Sequence, residues 1–322
     1  MIQIQEKNQS NLISVAPMLD WTDRHFRSFL RLICKHPMLY TEMIACPALI
    51  LGDRQKLLSY NPIEHPLTLQ VGGSDPNMMA LCAQMAEDYG YQGININAGC
   101  PSSRVQSGRF GAILMKTPEL VADCISQMRA KVHIPVSVKT RIALSDTLGD
   151  GFNELFHFAD LMVQAGCQHL IIHARKAKLN ISPKDNRQKL SLNYDVVYRL
   201  KKSFPDVFIT INGNITTVDD IPTHLTYVDG VMIGRAAYGN PYMLSTIDSQ
   251  FFNDHHTIPS RWDILREFLP YLERNQDKLS IILPHLMGLF HGEPNAKMYR
   301  QALMTKDLSV IKSFIEHNQV LP

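Results

Sequence analysis

Short apolar runs alternate with longer amphipathic stretches along most of this sequence, and that rhythm leaves few folds open. Eight runs rich in β-branched or apolar residues are predicted strands, and helical periodicity fills the intervals, for example at 76–89, 117–131 and 153–165. Strict alternation of strand and helix predicts a parallel sheet. Eight such units favour a closed (β/α)8 TIM barrel, and an open doubly wound sheet is the alternative. The predicted strands are residues 13–18, 39–43, 67–71, 93–98, 135–141, 168–175, 207–213 and 228–234.

The pattern changes after about residue 245. Helical runs follow with almost no strand signal, at 261–274, 278–290, 295–305 and 308–317. We therefore expect two domains, a barrel over residues 1–244 and an all-helical domain over residues 245–322. Eight Lys or Arg and nine Asp or Glu follow residue 244, which argues against a strongly basic tail.

Composition narrows the class of protein. A hydrophobic fraction of 45% and a charged fraction of 19% are ordinary for a globular protein, and no apolar run approaches the ~20 residues that cross a bilayer. The polar N-terminal residues lack the apolar stretch of a signal peptide, so we expect a cytoplasmic protein with no membrane partner. The six cysteines show no CxxC motif and no Cys/His pairing at metal-ligand spacing, so we expect neither a metal site nor a disulfide scaffold.

Polar residues close most of the predicted strands. In a (β/α)8 barrel the active site lies at the C-terminal ends of the strands. Polar groups on apolar strands cost stability unless a ligand or a hydrogen-bond network satisfies them, so we expect a pocket for a large polar ligand. The strand-end residues are Ala16, Pro17, Met18, Gln70, Asn97 with Cys100 just beyond, Lys139, Arg141, His173, Arg175, Asn212, Gly213, Asn214, Gly234 and Arg235.

The loops after the last two strands carry glycines. Barrels often bind a phosphate in these two loops, where backbone N–H groups can approach an anion. The segments 212–214 and 234–240 fit that description, with Arg235 as a charge partner. We expect a phosphate group here, and ordinary strand-ending turns are the alternative.

Three other strand-end residues leave more than one interpretation open. Lys139 is costly to bury in an apolar strand, so it either lies beside an electron-rich ring system or forms a structural ion pair. His173 is either a ligand-binding residue or a hydrogen-bonded core residue. Cys100 lies in a loop at the expected catalytic face with Arg104 nearby, whereas Cys82 lies on a helical stretch, so Cys100 is the candidate reactive thiol.

Motifs at six separate strand ends carry a family resemblance. In order these are APM, GCPS, VK, HAR, NGN and GR, within longer segments such as NINAGCPSSRVQSGRFGAILM, SPKDNR and HLMGLFHGEPNAKMYR. The sequence from about Ile13 to Met304 resembles the tRNA-dihydrouridine synthases, in particular their A-type branch, which modifies uridines at positions 20 and 20a of the tRNA D loop.

The resemblance implies an FMN-dependent barrel joined to a helical tRNA-binding domain. NADPH (or NADH) would reduce the flavin, hydride would pass to C6 of uracil, Cys100 would protonate C5, and Asn97 would hydrogen-bond the base. FMN would contact Ala16, Pro17 and Met18, with Gln70, Lys139 and His173 near its isoalloxazine and ribityl portions. Its phosphate would be held by Asn212, Gly213, Asn214, Gly234 and Arg235.

The resemblance also implies how tRNA is held. Residues 175–202 contain nine Lys or Arg against two Asp, although the whole chain has a formal net charge of only +2. Within this segment Lys184 and Arg187 match the family's pattern, and Lys297 and Arg300 match its helical-domain pair. A solvated basic surface is the alternative, and a monomer bound to tRNA is the expected assembly.

The sequence departs from the family pattern at two places, and two other functions are alternatives. The segment after HARKA lacks an expected aromatic residue, and Asn295 stands where the family more often has glycine. One rival is an FMN-barrel dehydrogenase acting on free pyrimidines or dihydroorotate, which would need neither a helical domain nor a basic segment. The other is a tRNA-binding flavoprotein without reductase activity, which would be indifferent to replacement of Cys100. No GxGxxG motif indicates a dinucleotide site.

Overall fold

The strands of this protein form one parallel sheet. The computed structural model describes residues 11–179 and 181–317, so the predicted polar N-terminal segment 1–10 and the end of the predicted helical domain, 318–322, lie outside the described residues. Within the described part there are nine strands, all paired in parallel. They are β1 Ile13–Val15, β2 Leu39–Tyr40, β3 Ile44–Ala45, β4 Leu67–Gly72, β5 Gly93–Ala98, β6 Val136–Arg141, β7 His169–His173, β8 Phe208–Asn212 and β9 Gly230–Ile233.

The sheet closes into a barrel. Its strand order is β1-β9-β8-β7-β6-β5-β4-β2, and β3 pairs with β4 just beyond β2. The ring closes where Val15 N donates to Met38 O at 3.0 Å and Met38 N donates to Ile13 O at 3.0 Å. Because β2 and β3 share one place in the ring, the barrel has eight strand positions. The predicted (β/α)8 barrel is confirmed, and the open sheet is excluded.

The second predicted strand, residues 39–43, is wrong in its continuity, because the structure divides it into β2 and β3. Tyr40 of β2 is paired with Thr68 of β4, and Ile44 of β3 is paired with Val71. The segment between β2 and β3 therefore contains one residue more than the facing part of β4, as in a β-bulge. Thr41 Oγ1 accepts the N–H of Gln70 at 3.0 Å and donates to Glu42 O at 2.8 Å. The Thr41 hydroxyl therefore replaces a carbonyl of the ladder and interrupts the strand.

The other seven predicted strands are confirmed. Five of them are shorter than predicted, β5 has the predicted bounds, and β4 extends one residue further to Gly72. Two of the new limits lie beside prolines, since β1 ends before Pro17 and β6 begins after Pro135. Proline has no N–H to donate to a neighbouring strand, so the ladder stops there.

Helices cover the outside of the barrel and make up all of the regular structure between β9 and residue 317. In the described part none of them is long and apolar enough to span a membrane. They are α1 Arg24–Leu30, α2 Cys46–Leu51, α3 Arg54–Leu58, α4 Pro76–Asp88, α5 Ser103–Ser107, α6 Pro118–Arg129, α7 Phe152–Gln164, α8 Pro183–Lys189, α9 Tyr194–Ser203, α10 Asp220–Leu225, α11 Arg235–Gly239, α12 Ile247–Phe251, α13 Arg261–Arg274, α14 Leu279–Leu286, α15 Ala296–Met304 and α16 Leu308–His317. Short 3-10 helices lie at Pro62–Glu64, Gly111–Lys116, Pro241–Thr246 and Gln276–Lys278.

Local sequence explains where the long helices begin. Asp75 caps α4 by accepting the N–H of Met78 at 2.9 Å, and a proline occupies the first turn, where its missing N–H costs nothing. Ser260 and Asp263 form a capping box at the start of α13. Helices α4, α6 and α7 correspond to the predicted stretches 76–89, 117–131 and 153–165.

Three of the four predicted C-terminal helices are confirmed as α13, α15 and α16. The fourth, 278–290, is wrong in its length, because α14 ends at Leu286. Just beyond that end, a Cβ on Gly288 would lie 2.8 Å from Tyr238 O and 2.7 Å from Gly239 O. Only glycine allows this close backbone approach, and the chain turns there to pack against the end of the barrel.

The barrel and the C-terminal helices share one continuous apolar core. Phe29 of α1 packs edge-on against Phe268 of α13, with ring centroids 5.4 Å apart. Polar contacts cross the same boundary, since His25 Nδ1 lies 2.7 Å from Tyr271 Oη. The C-terminal helices therefore pack directly on α1 of the barrel.

Candidate active site at the barrel mouth

Parallel pairing brings the predicted strand-end residues to one end of the barrel. Asn97 of β5 is aligned with Lys139 of β6. His173 of β7 is aligned with Arg141 on one side and with Asn212 on the other. Because the C-terminal ends of all strands meet at the same rim, these side chains form a single polar mouth.

Amide side chains line one side of this mouth. Asn97 Nδ2 donates to Gln70 Oε1 at 2.9 Å, and Gln70 Nε2 donates to Asn95 Oδ1 at 2.7 Å. Asn95 Nδ2 continues the chain by donating to Ser137 Oγ at 2.9 Å. Gln70, Asn95 and Ser137 are buried, so this network satisfies groups that would otherwise destabilise the barrel interior.

The loop that carries Cys100 is held at its base by the same amide network. Asn97 Oδ1 accepts the N–H of Gly99 at 3.1 Å and the N–H of Cys100 at 3.0 Å. From the next strand, Arg141 Nε donates to Gly99 O at 3.1 Å. Cys100 is the one partly exposed cysteine, since the other five are buried. The predicted reactive thiol therefore lies at the mouth on a fixed backbone.

Lys139 lies inside the mouth with an amide oxygen as its partner. Its Nζ donates to Asn212 Oδ1 at 3.0 Å, while Asn212 Nδ2 donates to Met232 O at 2.8 Å. Burial, and then the neighbouring Arg141, lower the pKa of Lys139 to about 7. The structural ion pair considered from the sequence is not formed, because the partner carries no charge.

His173 is uncharged in this environment. Burial is the main cause that lowers its pKa well below the usual value, and Arg141, Lys139 and Arg175 add to the effect. Its Nδ1 is buried without a hydrogen-bond partner. The Nε atoms of Arg175 and Arg187 are also buried and unpartnered. Buried polar atoms of this kind are normally satisfied, so their accumulation indicates a ligand-binding site.

The mouth concentrates positive charge. Among the described residues no ion pair joins any of these cations to a carboxylate. Burial is the main cause that lowers the pKa of Arg175 and of Arg187. Arg235 lowers both pKa values further, and Arg175 also lowers that of Arg187. A cluster of cations without counter-ions attracts an anion. The five are Lys139, Arg141, Arg175, Arg187 and Arg235.

Next to these cations lies open space with an apolar floor. A Cβ on Gly234 would meet only Ala16 Cβ, at 4.0 Å, and Gly213 has a φ of +134° that favours glycine. Beneath the mouth, Ala16 packs with Met232 and other apolar side chains, and Met18 is partly buried against them. A flat ring with an anionic tail fits this combination of apolar floor, buried donors and cations, so the residues present fit FMN.

The residues expected to bind tRNA divide between two places. Arg187 of α8 belongs to the cation cluster of the mouth, and Lys184 of the same helix is exposed. Lys297 and Arg300 are exposed on α15 in the C-terminal region. No hydrogen bond or ion pair within residues 11–179 and 181–317 connects these last two side chains to the mouth.

Two strand-end arginines and one asparagine were given no role from the sequence. Arg141 holds the Cys100 loop, Arg175 contributes an unpartnered donor, and Asn95 extends the amide network. The sequence pattern could have indicated Arg141 and Asn95, because side chains two residues apart on a strand lie on the same face. Arg141 is two residues from Lys139 on β6, and Asn95 is two residues from Asn97 on β5.

Comparison with solved structures agrees with the fold. The structure of an old yellow enzyme homologue from Zymomonas mobilis superposes with a TM-score of 0.54 at 11% identity, covering 78% of this chain and 90% of that one. A 2-naphthoyl-CoA reductase complex gives a TM-score of 0.57 at 11% identity, covering 74% of this chain and 50% of that one. At this identity the likeness concerns the fold alone.

Comparison of sequences shows the family. The family described as "Dihydrouridine synthase (Dus)" matches residues 14–316. A tRNA-dihydrouridine(20/20a) synthase of Synechocystis sp. is 49% identical over 312 residues, covering 96% of this chain and 93% of that protein. Proteins of the same name from Shewanella oneidensis and Pseudomonas aeruginosa are 48% and 47% identical, over 92% and 91% of this chain and 89% of each relative. The chain therefore belongs to the dihydrouridine synthase family.

Proposed function

We propose that this protein reduces uridines at positions 20 and 20a of the tRNA D loop to 5,6-dihydrouridine. The observation that carries the proposal is the barrel mouth, where a partly exposed thiol lies beside uncompensated cations. Membership of the family and the names of the relatives support the same reaction.

FMN is the proposed cofactor of this mouth. When bound and reduced by NADPH or NADH, it would supply the hydride that C6 of uracil receives. The unpartnered His173 Nδ1, the open space at Gly234 and the cation cluster support this assignment. The proposed contacts are Ala16, Pro17, Met18, Gln70, Lys139 and His173 for the ring and ribityl chain, and Asn212, Gly213, Asn214, Gly234 and Arg235 for the phosphate.

Cys100 is the proposed acid for C5. Its thiol transfers a proton to that carbon as C6 gains hydride, and the resulting thiolate regains a proton from solvent. Asn97 and Arg141 hold the backbone of the Cys100 loop, so the side chain alone needs to adjust when the base arrives. Asn97 retains one amide hydrogen beyond its bond to Gln70 with which to hydrogen-bond the base.

The surrounding surface is proposed to hold the tRNA. Placing a uridine over the flavin requires pulling the base out of its stack, which costs a few kcal/mol and needs contacts elsewhere on the RNA. Lys184 and Arg187 beside the mouth, and Lys297 and Arg300 on α15, are the proposed phosphate contacts. We assign FMN binding, catalysis and the contacts of Lys184 and Arg187 to residues 1–244, and a helical tRNA-binding domain to 245–322, in a monomer acting in the cytoplasm.

Mass spectrometry of tRNA nucleosides tests this function. Unmodified tRNA is incubated with the FMN-loaded protein and NADPH, and a gain of two hydrogens at D-loop uridines is expected. Cys100→Ala should still bind tRNA but stall, whereas Cys167→Ala, which removes a buried thiol far from the mouth, should remain active. Turnover of free uracil or orotate with unchanged tRNA would favour the dehydrogenase instead. Tight tRNA binding without any gain would favour a binding protein.

A further inference from the structure

A second cluster of ligand-type side chains lies at the other end of the barrel. His36 precedes β2 by three residues and so lies at the N-terminal end of the strands. Asp248 belongs to α12, and Asp254 and His256 belong to the connection that leads into α13. Three separate segments of the chain therefore meet here, away from the mouth where the proposed reaction occurs.

The side-chain atoms in this cluster have the spacing of metal ligands. One ligand atom from each of His36, Asp248 and Asp254 lies within 4.8 Å of the others. His36 Nε2 is 2.8 Å from Asp254 Oδ2, and the two nitrogens of His256 are 3.1 Å from Asp254 Oδ1 and 4.0 Å from Asp248 Oδ2. Ligand atoms bound tetrahedrally to zinc at about 2.1 Å are about 3.4 Å apart. His36, Asp248 and Asp254 already offer three ligand atoms near that spacing. His256 lies beside both carboxylates and would complete the set by turning one of its two nitrogens toward the ion.

Backbone and ring contacts orient the ligands in advance. Asp248 is only 1% exposed, and its two oxygens accept the N–H groups of Lys35 at 2.6 Å and of His36 at 3.2 Å. The imidazole of His36 stacks on Phe252, with ring centroids 5.3 Å apart. Outer contacts of this kind fix the direction of metal ligands. Among the described residues, the Asp248 carboxylate accepts hydrogen bonds from backbone N–H groups alone, so both of its oxygens keep lone pairs free for a cation.

We propose that His36, Asp248, Asp254 and His256 bind one Zn²⁺ ion. Two carboxylates balance the charge of a divalent cation, and the two imidazoles bind it in their neutral form. Mixed imidazole and carboxylate ligands suit zinc, whereas Ca²⁺ and Mg²⁺ prefer oxygen ligands alone. Sequence reasoning on cysteine spacing predicted no metal site, but it did not consider His and Asp residues more than two hundred positions apart.

The position of the site indicates a structural role. The ion would connect the α1–β2 loop of the barrel to the connection between α12 and α13. It would hold the start of the C-terminal helices against the barrel and take no part in chemistry at the mouth. Zinc should therefore raise the thermal stability of the full chain, because a ligand bound only to the folded state stabilises it.

Zinc titration of the full-length, chelator-treated protein tests the proposal. We expect one Zn²⁺ per chain after gel filtration, by elemental analysis, and a higher melting temperature in ZnCl₂. His36→Ala and Asp254→Asn should weaken Zn²⁺ binding at least a hundredfold. His157→Ala serves as the matched control, because His157 is an exposed imidazole 3.9 Å from a single carboxylate, Glu119. This variant should bind zinc like the wild type.

Cobalt substitution keeps the test decisive if a variant fails to fold. Wild-type protein loaded with Co²⁺ should show the intense visible absorption of a tetrahedral site. A weak octahedral spectrum, no stoichiometric zinc at micromolar concentration, or equal affinity in the His36→Ala protein would each overturn the proposal. In that case the cluster is a network of direct contacts between imidazoles and carboxylates. None of these measurements depends on tRNA reduction.

Discussion

Replacing Lys139 with methionine tests the electrostatics of the barrel mouth without any substrate. Burial lowers the pKa of Lys139 from 10.5 to about 7, with Arg141 adding to the shift. The folded-state pKa thus lies below the unfolded-state value, and the unfolded chain holds the proton more tightly. The resulting cost to stability is fully present below pH 7 and disappears as the pH rises toward 10.5.

The size of this effect follows from the two pKa values. One pKa unit corresponds to about 1.4 kcal/mol. Integration between the two values gives a cost to the free energy of unfolding of about 4 kcal/mol at pH 7 and about 1 kcal/mol at pH 9.5. From Lys139 alone, the wild type therefore gains about 3 kcal/mol over this interval. Lys139→Met also leaves Asn212 Oδ1 without its donor, a loss of about 1–3 kcal/mol that does not vary with pH.

Urea unfolding of flavin-free protein at pH 7 and pH 9.5 measures the effect. Buried cysteines and tyrosines also titrate in this range, but they cancel in the difference between variant and wild type at each pH. The stability of Lys139→Met relative to wild type should fall by about 3 kcal/mol from pH 7 to pH 9.5. Lys131→Met, which removes an exposed lysine, controls for loss of a charge. A difference between Lys139→Met and wild type that stays constant with pH would refute the reasoning.

Three further substitutions test other parts of the structure. Asn97→Ala removes the acceptor of two N–H groups at the base of the Cys100 loop, so the free energy of unfolding in urea should fall by about 2–3 kcal/mol. Single-turnover tRNA reduction should also slow at least tenfold, and an unchanged rate would contradict the positioning role. Gly234→Ala puts a methyl group into the open space of the mouth, so FMN affinity measured by fluorescence should fall about tenfold, or about 1.4 kcal/mol; equal affinity would place the phosphate elsewhere. Arg27→Met leaves the buried carboxylate of Glu64 unpaired, so the free energy of unfolding in urea should fall by about 3–5 kcal/mol. The double variant Arg27→Met, Glu64→Gln should recover most of that loss, and additive losses would argue against an ion pair between the two residues.

The barrel and most of its mouth were predictable because both rest on periodicity. Strand ends of a parallel barrel meet at one rim, so residues as distant in sequence as Asn97 and Asn212 were expected together before any coordinates. The partners of these residues were not predictable. The amide oxygen that Lys139 contacts, and the use of Asn97 to hold two backbone N–H groups, depend on side-chain directions that no spacing rule gives.

The break between β2 and β3 and the early end of α14 were not predictable from the sequence for a similar reason. The break between β2 and β3 depends on a Thr41 hydroxyl that accepts a neighbouring strand's N–H, and threonine is otherwise favoured in strands. The end of α14 depends on the backbone approach at Gly288, which is a tertiary contact. The cluster around His36 and Asp254 joins distant loops that no periodicity relates.

The continuous core between the barrel and the C-terminal helices sets the distance between the barrel mouth and α15. Phe29 packs against Phe268 and so holds α13 directly on α1. Under the proposed function, the span from the α15 cations to Cys100 is then a rigid length, and a folded tRNA has few nucleotides at that distance. Selection of the target uridine would follow from this fixed span more than from any reading of bases. Substitutions that repack the contact between Phe29 and Phe268 should therefore change which uridine is reduced more than they change the rate of reduction.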